Sequence, residues 1–297
     1  MKSTPSWAHR MYLRLFRGKA YWHQRFYPPD IQVVQSSGRV WFERQGTVLL
    51  EAYPVEYLQG KFKGRCNILL AGPSARTIED TSLLSRHALM CVSGSPQILG
   101  EPLPRMTFYH VNDATYLRDR LDNFLEYAAH AEWTIIDYRI AFEMLRLAPD
   151  CLPDTKFVVF DNWAYPLYLP LGAIQRVAAP PRNGQVYCST DLRMGLATGG
   201  TVAYTGGQLA WHFGFDSAYY YGLDLTNTGH AYNDPNPRRQ ALDKAYTDVI
   251  EPAFELLARE SSKTGFKLYN CNPNSRLPDR VMPYLDTNDS LTLEPNI

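Results

Sequence analysis

From residue 66 onward the chain alternates short apolar runs with amphipathic stretches, and this alternation restricts the fold more than any other feature of the sequence. The runs at 67–71, 88–93, 106–111, 133–137, 156–161, 218–222 and 267–271 have the length of strands buried on both faces. Between them, Leu117, Leu121, Phe124, Leu125 and Ala128 recur at helical spacing over 115–130. Leu242, Tyr246, Val249, Ala253, Leu256 and Leu257 do the same over 239–262, where Pro252 lacks an N–H and predicts a kink. Buried strands alternating with helices predict an α/β protein with a doubly wound, mostly parallel sheet. Such sheets bind ligands beyond the carboxyl ends of their strands.

Residues 1–65 have a different texture. Lys2, Arg10, Arg14, Arg17, Lys19 and Arg25 precede the first acid, Asp30, and are interleaved with Trp7, Tyr12, Phe16, Tyr21, Trp22, Phe26 and Tyr27. This mixture suits peripheral contact with an anionic inner membrane, and it suits equally a basic strap packed on the domain. Residues 39–43 and 47–52 read as short strands, with turns at Ser36, Ser37 and Gly38 and at Gln45 and Gly46: a small β appendage. The organisation expected is a basic, aromatic arm with this appendage over 1–65 and one domain over 66–297.

Composition excludes several classes. Thirty basic and thirty acidic residues cancel, so the broad electrostatic attraction that nucleic-acid binding relies on is missing. Cys66, Cys91, Cys151, Cys188 and Cys271 form no CxxC pair and are odd in number, which fits buried thiols in a reducing compartment. No run reaches the ~20 apolar residues of a membrane span, and the N-terminal residues do not read as a signal peptide. The expected location is the cytoplasm, with the arm at the inner face of the inner membrane.

Three constellations stand where strands hand over to loops. Gly72, Pro73 and Ser74 end the first buried strand, where a tight turn can face an anion or simply turn the chain. Thr198, Gly199, Gly200 and Thr201 open a helix-like run to Phe213, followed by the strand 218–222 and then by Asp224, a ligand contact or a turn residue. Asn272, Asn274 and Ser275 follow the last strand and can read a nucleotide or sugar, or stabilise a turn. Ser93, Asn112 and Asp113, after the second and third strands, complete the candidate binding set.

In order and spacing these motifs resemble glycosyltransferase family 42, the bacterial sialyltransferases, and the related lipopolysaccharide-core proteins thought to transfer 3-deoxy-octulosonic acid (Kdo). The matching elements are the Gly-Pro-Ser turn at 72–74, the threonine loop and small-residue helix from Thr201 through Gly214 to Gly222-Leu223-Asp224, and the Lys-Leu-Tyr-x-x-x-Pro-Asn-Ser segment at 267–275. The resemblance spans about residues 66–285. It implies a Rossmann-like, GT-A-like domain with a small lid, here around 225–240, and a CMP-linked donor as substrate. It implies no metal and no separate cofactor, in keeping with the lack of an Asp-x-Asp motif. The acceptor it implies is a glycolipid or oligosaccharide.

The resemblance also implies roles. Thr201 stands where the family has a threonine, and Tyr232, eight residues after Asp224, where it has a phosphate-binding tyrosine. His230 would point the same way as Tyr232 in an extended segment and is the candidate base, with Tyr232 the donor to the departing phosphate. A loop histidine can equally be plain solvent-exposed surface. Asp243, near where the family's histidine aligns, is the rival base. The sequence departs from the family at Ala71, Ser93, Thr226 and Gly199, where the pattern has Asn, Asn, Tyr and Arg. Two other classes share such a fold: an enzyme of flagellin-glycosylation or pyrophosphokinase type, and an inactive protein that only binds a glycan or nucleotide.

Overall fold

All seven apolar runs become neighbours in one sheet. The computed structural model describes residues 7–152, 154–226, 229–232 and 242–292. Its strands are β1 (Gln32–Ser36), β2 (Arg39–Arg44), β3 (Thr47–Pro54), β4 (Arg65–Leu69), β5 (Ala88–Val92), β6 (Met106–Val111), β7 (Ala131–Asp137), β8 (Lys156–Phe160), β9 (Arg182–Asn183), β10 (Val186–Tyr187), β11 (Ser217–Tyr221) and β12 (Lys267–Asn270). The β9–β10 ladder stands apart, and the rest form a ten-stranded sheet in the order β1-β2-β3-β8-β7-β6-β5-β4-β11-β12. From β8 to β12 every pairing is parallel.

The helices are α1 (Trp7–Tyr12), α2 (Ala114–Asp119), α3 (Leu121–Ala129), α4 (Tyr138–Leu147), α5 (Ala173–Ala178), α6 (Val202–Phe213), α7 (Leu242–Ala245), α8 (Glu251–Ser262) and α9 (Thr287–Thr292). The strand residues alternate between two apolar layers. Ile68, Met90, Phe108, Ile135 and Val158 share a core with Ala210 of α6 and Leu257 of α8. Leu89, Cys91, Tyr109, Ile136 and Val159 share the other with Phe124 of α3 and Met144 of α4. At about 1.5–3 kcal/mol for each fully buried large side chain, this two-sided burial dominates the stability.

Several local readings change. The hairpin β1–β3 continues the main sheet, because β3 runs parallel to β8 with Tyr53 opposite Val158. Strands β1 to β3 therefore do not close a sheet of their own. The stretch 115–130 is two helices, broken where Arg120 leaves the helical region at φ −136, ψ 41. A π-helical turn, Tyr246–Ile250, precedes α8, and Pro252 falls in the first turn of α8, where a missing N–H is tolerated. Of the expected helix 239–262 and lid 225–240, residues 227–228 and 233–241 lie outside the described residues. Of the arm, Lys19–Phe26 forms a 3-10 helix that buries His23 and Gln24, while α1 buries nothing. All five cysteines are free, and only Cys151 is exposed. Among the described residues no helix is long and apolar enough to cross a membrane.

The chain builds the sheet outward from β4 through β8, then returns to lay β11 and β12 on the other side of β4. The connections diverge between β4 and β11, and this switch point opens a crevice at their carboxyl ends.

Candidate functional site

A cleft of about 670 Å³ lies over that crevice. It is lined at the ends of six strands: Asn162 and Tyr165 after β8, Arg139 after β7, Asn112 and Asp113 after β6, Ser93 and Gly94 after β5, Ala71 and Gly72 after β4, and Gly222 to Asp224 after β11. At the usual ~4.8 Å strand spacing this row is about 24 Å long, enough for more than one sugar-sized group. Thr198, Gly200, Thr201, Val202 and Ala203 bring the start of α6 to the same cleft. Thr201 caps that helix, its hydroxyl accepting from the Ala203 N–H at 3.3 Å.

The turn after β4 is fastened to β11. The Gly72 N–H donates to the Gly222 carbonyl at 3.1 Å. A Cβ on Gly72 would overlap that carbonyl and the Asp224 carboxylate, so only glycine fits. Asp224 in turn accepts from the Ser74 N–H (3.2 Å) and the Ser74 hydroxyl (2.8 Å). The donors expected to meet a ligand anion at this turn therefore meet Asp224, and Pro73 and Ser74 lie behind the lining. Asp224 lines the cleft, but with its carboxylate committed to Ser74.

Opposite α6, residues 229–232 cross this turn. The Ala231 N–H donates to the Ala71 carbonyl at 2.8 Å, and Arg76 donates to the carbonyls of Ala231 (2.6 Å) and His230 (3.1 Å). The segment carries His230 and Tyr232 into the cleft with their rings stacked, centroids 5.0 Å apart and planes within 7°. The Tyr232 phenol lies over Gly94, where a Cβ would come within 2.8 Å of the ring carbon that bears the hydroxyl. Ser93, just before it, adopts a left-handed φ of 50° that sharpens the turn out of β5. Asp243 pairs with Arg276 at 2.5 Å and does not line the cleft, although its neighbour Leu242 does.

Asn272, Asn274 and Ser275 do not line the cleft either. Asn272 Oδ1 accepts from the Asn274 N–H at 2.9 Å, and the Ser275 hydroxyl donates to the Leu223 carbonyl at 2.6 Å. The loop thus braces the end of β11 from behind. Asp113 lines the cleft and also caps α2 through the Thr115 N–H at 2.8 Å. Asn112 donates to the Thr205 hydroxyl at 3.3 Å, next to His110. Burial pushes His110 down to about 4, so this network is held by a neutral imidazole.

Sequence reasoning missed the far end of the cleft. Arg139 donates to the Asn112 carbonyl at 2.7 Å and lies 4.5 Å from the Tyr165 ring centroid, and its buried Nε meets no hydrogen-bond partner among the described residues. Beneath it Asp137 accepts from Asn162 at 2.8 Å, and burial raises its pKa. Burial also lifts the neighbouring Asp161 to about 7. Tyr116 and Arg120 reach the cleft from α2 and the break after it. The available signal was positional: Arg139 and Asn162 each stand two residues past a strand end, close to the positions that Ser93 and Asn112 occupy after their own strands.

No family model matches the chain. Its sequence is 22% identical over 240 residues to a probable 3-deoxy-manno-octulosonic acid transferase of Salmonella typhimurium, covering 75% of this chain and 87% of the relative. It is 20% identical over 248 residues to the protein of the same description in Escherichia coli K12, covering 78% and 86%. Among solved structures it is similar to the monofunctional α-2,3-sialyltransferase Cst-I of Campylobacter jejuni, at 12% identity and a TM-score of 0.45, covering 79% and 85%. It is also similar to the sialyltransferase CstII of that organism in complex with cytidine-5'-monophosphate, at 15% identity and a TM-score of 0.41, covering 76% and 86%. The chain is a distant homologue of the two probable Kdo transferases.

Proposed function

We propose that this chain is a glycosyltransferase that moves an acidic keto-sugar, of Kdo or sialic-acid type, from a CMP-activated donor to a bacterial surface glycan such as a lipopolysaccharide core. The homology to probable Kdo transferases supports the sugar class. One observation carries the chemistry: the stacked His230–Tyr232 pair faces the capped start of α6 across a switch-point cleft.

In this reading the nucleotide and donor sugar occupy the half of the cleft over β4, β5 and β11, near Gly72, Ser93 and Thr201. The acceptor enters over β6 to β8, near Asn112, Arg139 and Tyr165. His230 takes the proton from the acceptor hydroxyl as its oxygen attacks the anomeric carbon. The bond from that carbon to the phosphate oxygen breaks, and CMP leaves with the bonding pair. The Tyr232 hydroxyl donates to the phosphate as its charge grows. The start of α6 offers a favourable dipole to the carboxylate or phosphate. The reading contains no metal step.

The test is CMP release from CMP-Kdo or CMP-sialic acid with a truncated lipopolysaccharide-core acceptor. Acceptor-dependent release that persists in EDTA is expected. Release that requires a divalent cation would remove the metal-free mechanism. No release with either donor, together with tighter binding of ATP or a UDP-sugar than of CMP, would replace the reading with a different enzyme class.

A further inference from the structure

Ten of the fourteen large apolar side chains that stand exposed among the described residues come from only two segments, 7–26 and 168–177. Scattered exposure is ordinary, but concentration of this kind marks an interaction surface. Trp7, Phe16 and Val177 are each at least 75% exposed. The two segments meet where the first ends: the Leu171 N–H donates to the Ala20 carbonyl at 2.8 Å, Gln24 donates to the Pro166 carbonyl at 2.8 Å, and Phe26 meets Tyr165 edge-on at 5.7 Å.

The charge on both segments has one sign. No Asp or Glu occurs in residues 1–29 or in 162–190, whereas Arg10, Arg14, Arg17 and Lys19 are exposed on the first and Arg176 on the second. The chain as a whole is neutral, so this face is a local cationic field set among exposed aromatics. A second protein would find a groove or pockets only by chance here, but a bilayer needs neither. It needs apolar side chains that can enter the interface and basic ones that meet its phosphates.

We infer that α1, the turns after it and the segment 165–177 form one face that seats the protein on an anionic lipid bilayer. The same stretch of chain reaches the cleft: Tyr165 lies between Phe26 of this face and Arg139 of the lining. The bilayer then lies beside the β6 to β8 half of the cleft. On the reading of that half as the acceptor side, which rests on the proposed transfer reaction, the face delivers a lipid-linked acceptor sideways from the membrane.

The experiment is co-sedimentation of the full chain with phosphatidylcholine vesicles, with and without phosphatidylglycerol, at low and high salt. In parallel, CMP release is measured with a lipid-free acceptor. Binding should require the anionic lipid and weaken with salt. The triple change Arg14→Ala, Arg17→Ala, Lys19→Ala should weaken it about 100-fold, and Val177→Asp should weaken it too, with release on the lipid-free acceptor unchanged. No vesicle binding, equal binding to neutral vesicles, or self-association of the chain through this face in place of vesicle binding would overturn the inference. So would binding indifferent to Val177→Asp, since the second segment would then lie off the surface. If vesicles bind as expected but no CMP is released, the transfer reading fails and the docking face stands. Release without vesicle binding means the reverse.

Discussion

Replacing His230 by alanine is expected to slow transfer by about 10²-fold or more while CMP binds as before. The expectation comes from how the segment is held. Three hydrogen bonds, from Ala231 to Ala71 and from Arg76 to the carbonyls of His230 and Ala231, fix residues 229–232 over the turn after β4. The imidazole is then oriented by its stack on Tyr232, and both rings line the cleft. A base held in this way has little reorganisation left when the acceptor arrives. Losing the ring removes the proton acceptor but leaves Thr201 and the start of α6, so turnover should fall without a matching fall in CMP affinity. Asp243→Asn is the control, because the Asp243 carboxylate is paired with Arg276 and is not part of the cleft lining. An active His230→Ala enzyme beside a dead Asp243→Asn enzyme would transfer the role of base to Asp243.

The second large effect concerns two adjacent glycines in the interior of α6, for which opposite outcomes are expected. Glycine inside a helix is less favourable than alanine by about 0.8–1 kcal/mol. At Gly206 a Cβ would meet only Met90 Sδ at 3.5 Å and Ile68 at 3.7 Å, ordinary contacts, so Gly206→Ala should raise the melting temperature. At Gly207 a Cβ would overlap the Tyr220 hydroxyl and stand 2.8 Å from Leu257 Cδ2. Tyr220 is wholly buried and donates to the Ala203 carbonyl at 3.2 Å, so it has nowhere to retreat. Gly207→Ala should destabilise by about 1–3 kcal/mol, enough to lower the melting temperature by several degrees. Thermal unfolding of both variants checks this. A stabilised Gly207→Ala protein would mean that α6 does not pack this closely on β11 and α8.

The parallel core was legible because period and burial coincide there. Strands such as Ala88–Val92 are apolar throughout, and in a doubly wound sheet both faces are covered. What escaped was set by contacts between distant segments. β1 is exposed along most of its length and shows no clean alternation, and it becomes a strand by pairing with β2. The break at Arg120 falls inside an unbroken helical pattern, since Leu117 and Leu121 keep the apolar spacing across it. The site divides along the same line. His230, Tyr232, Thr201, Gly72 and Ser93 do meet in one cleft. Ser74, Asn272 and Ser275 had the residue types of ligand contacts, yet their partners turned out to be Asp224, Asn274 and Leu223. Which acceptor a hydroxyl or amide finds cannot be read from local sequence. Arg139 was missed for the opposite reason: an arginine in the first turn of a helix carries no motif, and only the sheet order brings it beside Asn112.

A crystal structure with CMP bound tests the central claim most directly. The account predicts the nucleotide over β4, β5 and β11, the cytidine beside Gly72 and Ser93, and the phosphate within hydrogen-bond distance of the Tyr232 hydroxyl. CMP lodged over β6 to β8 against Arg139, or outside the cleft altogether, would contradict it.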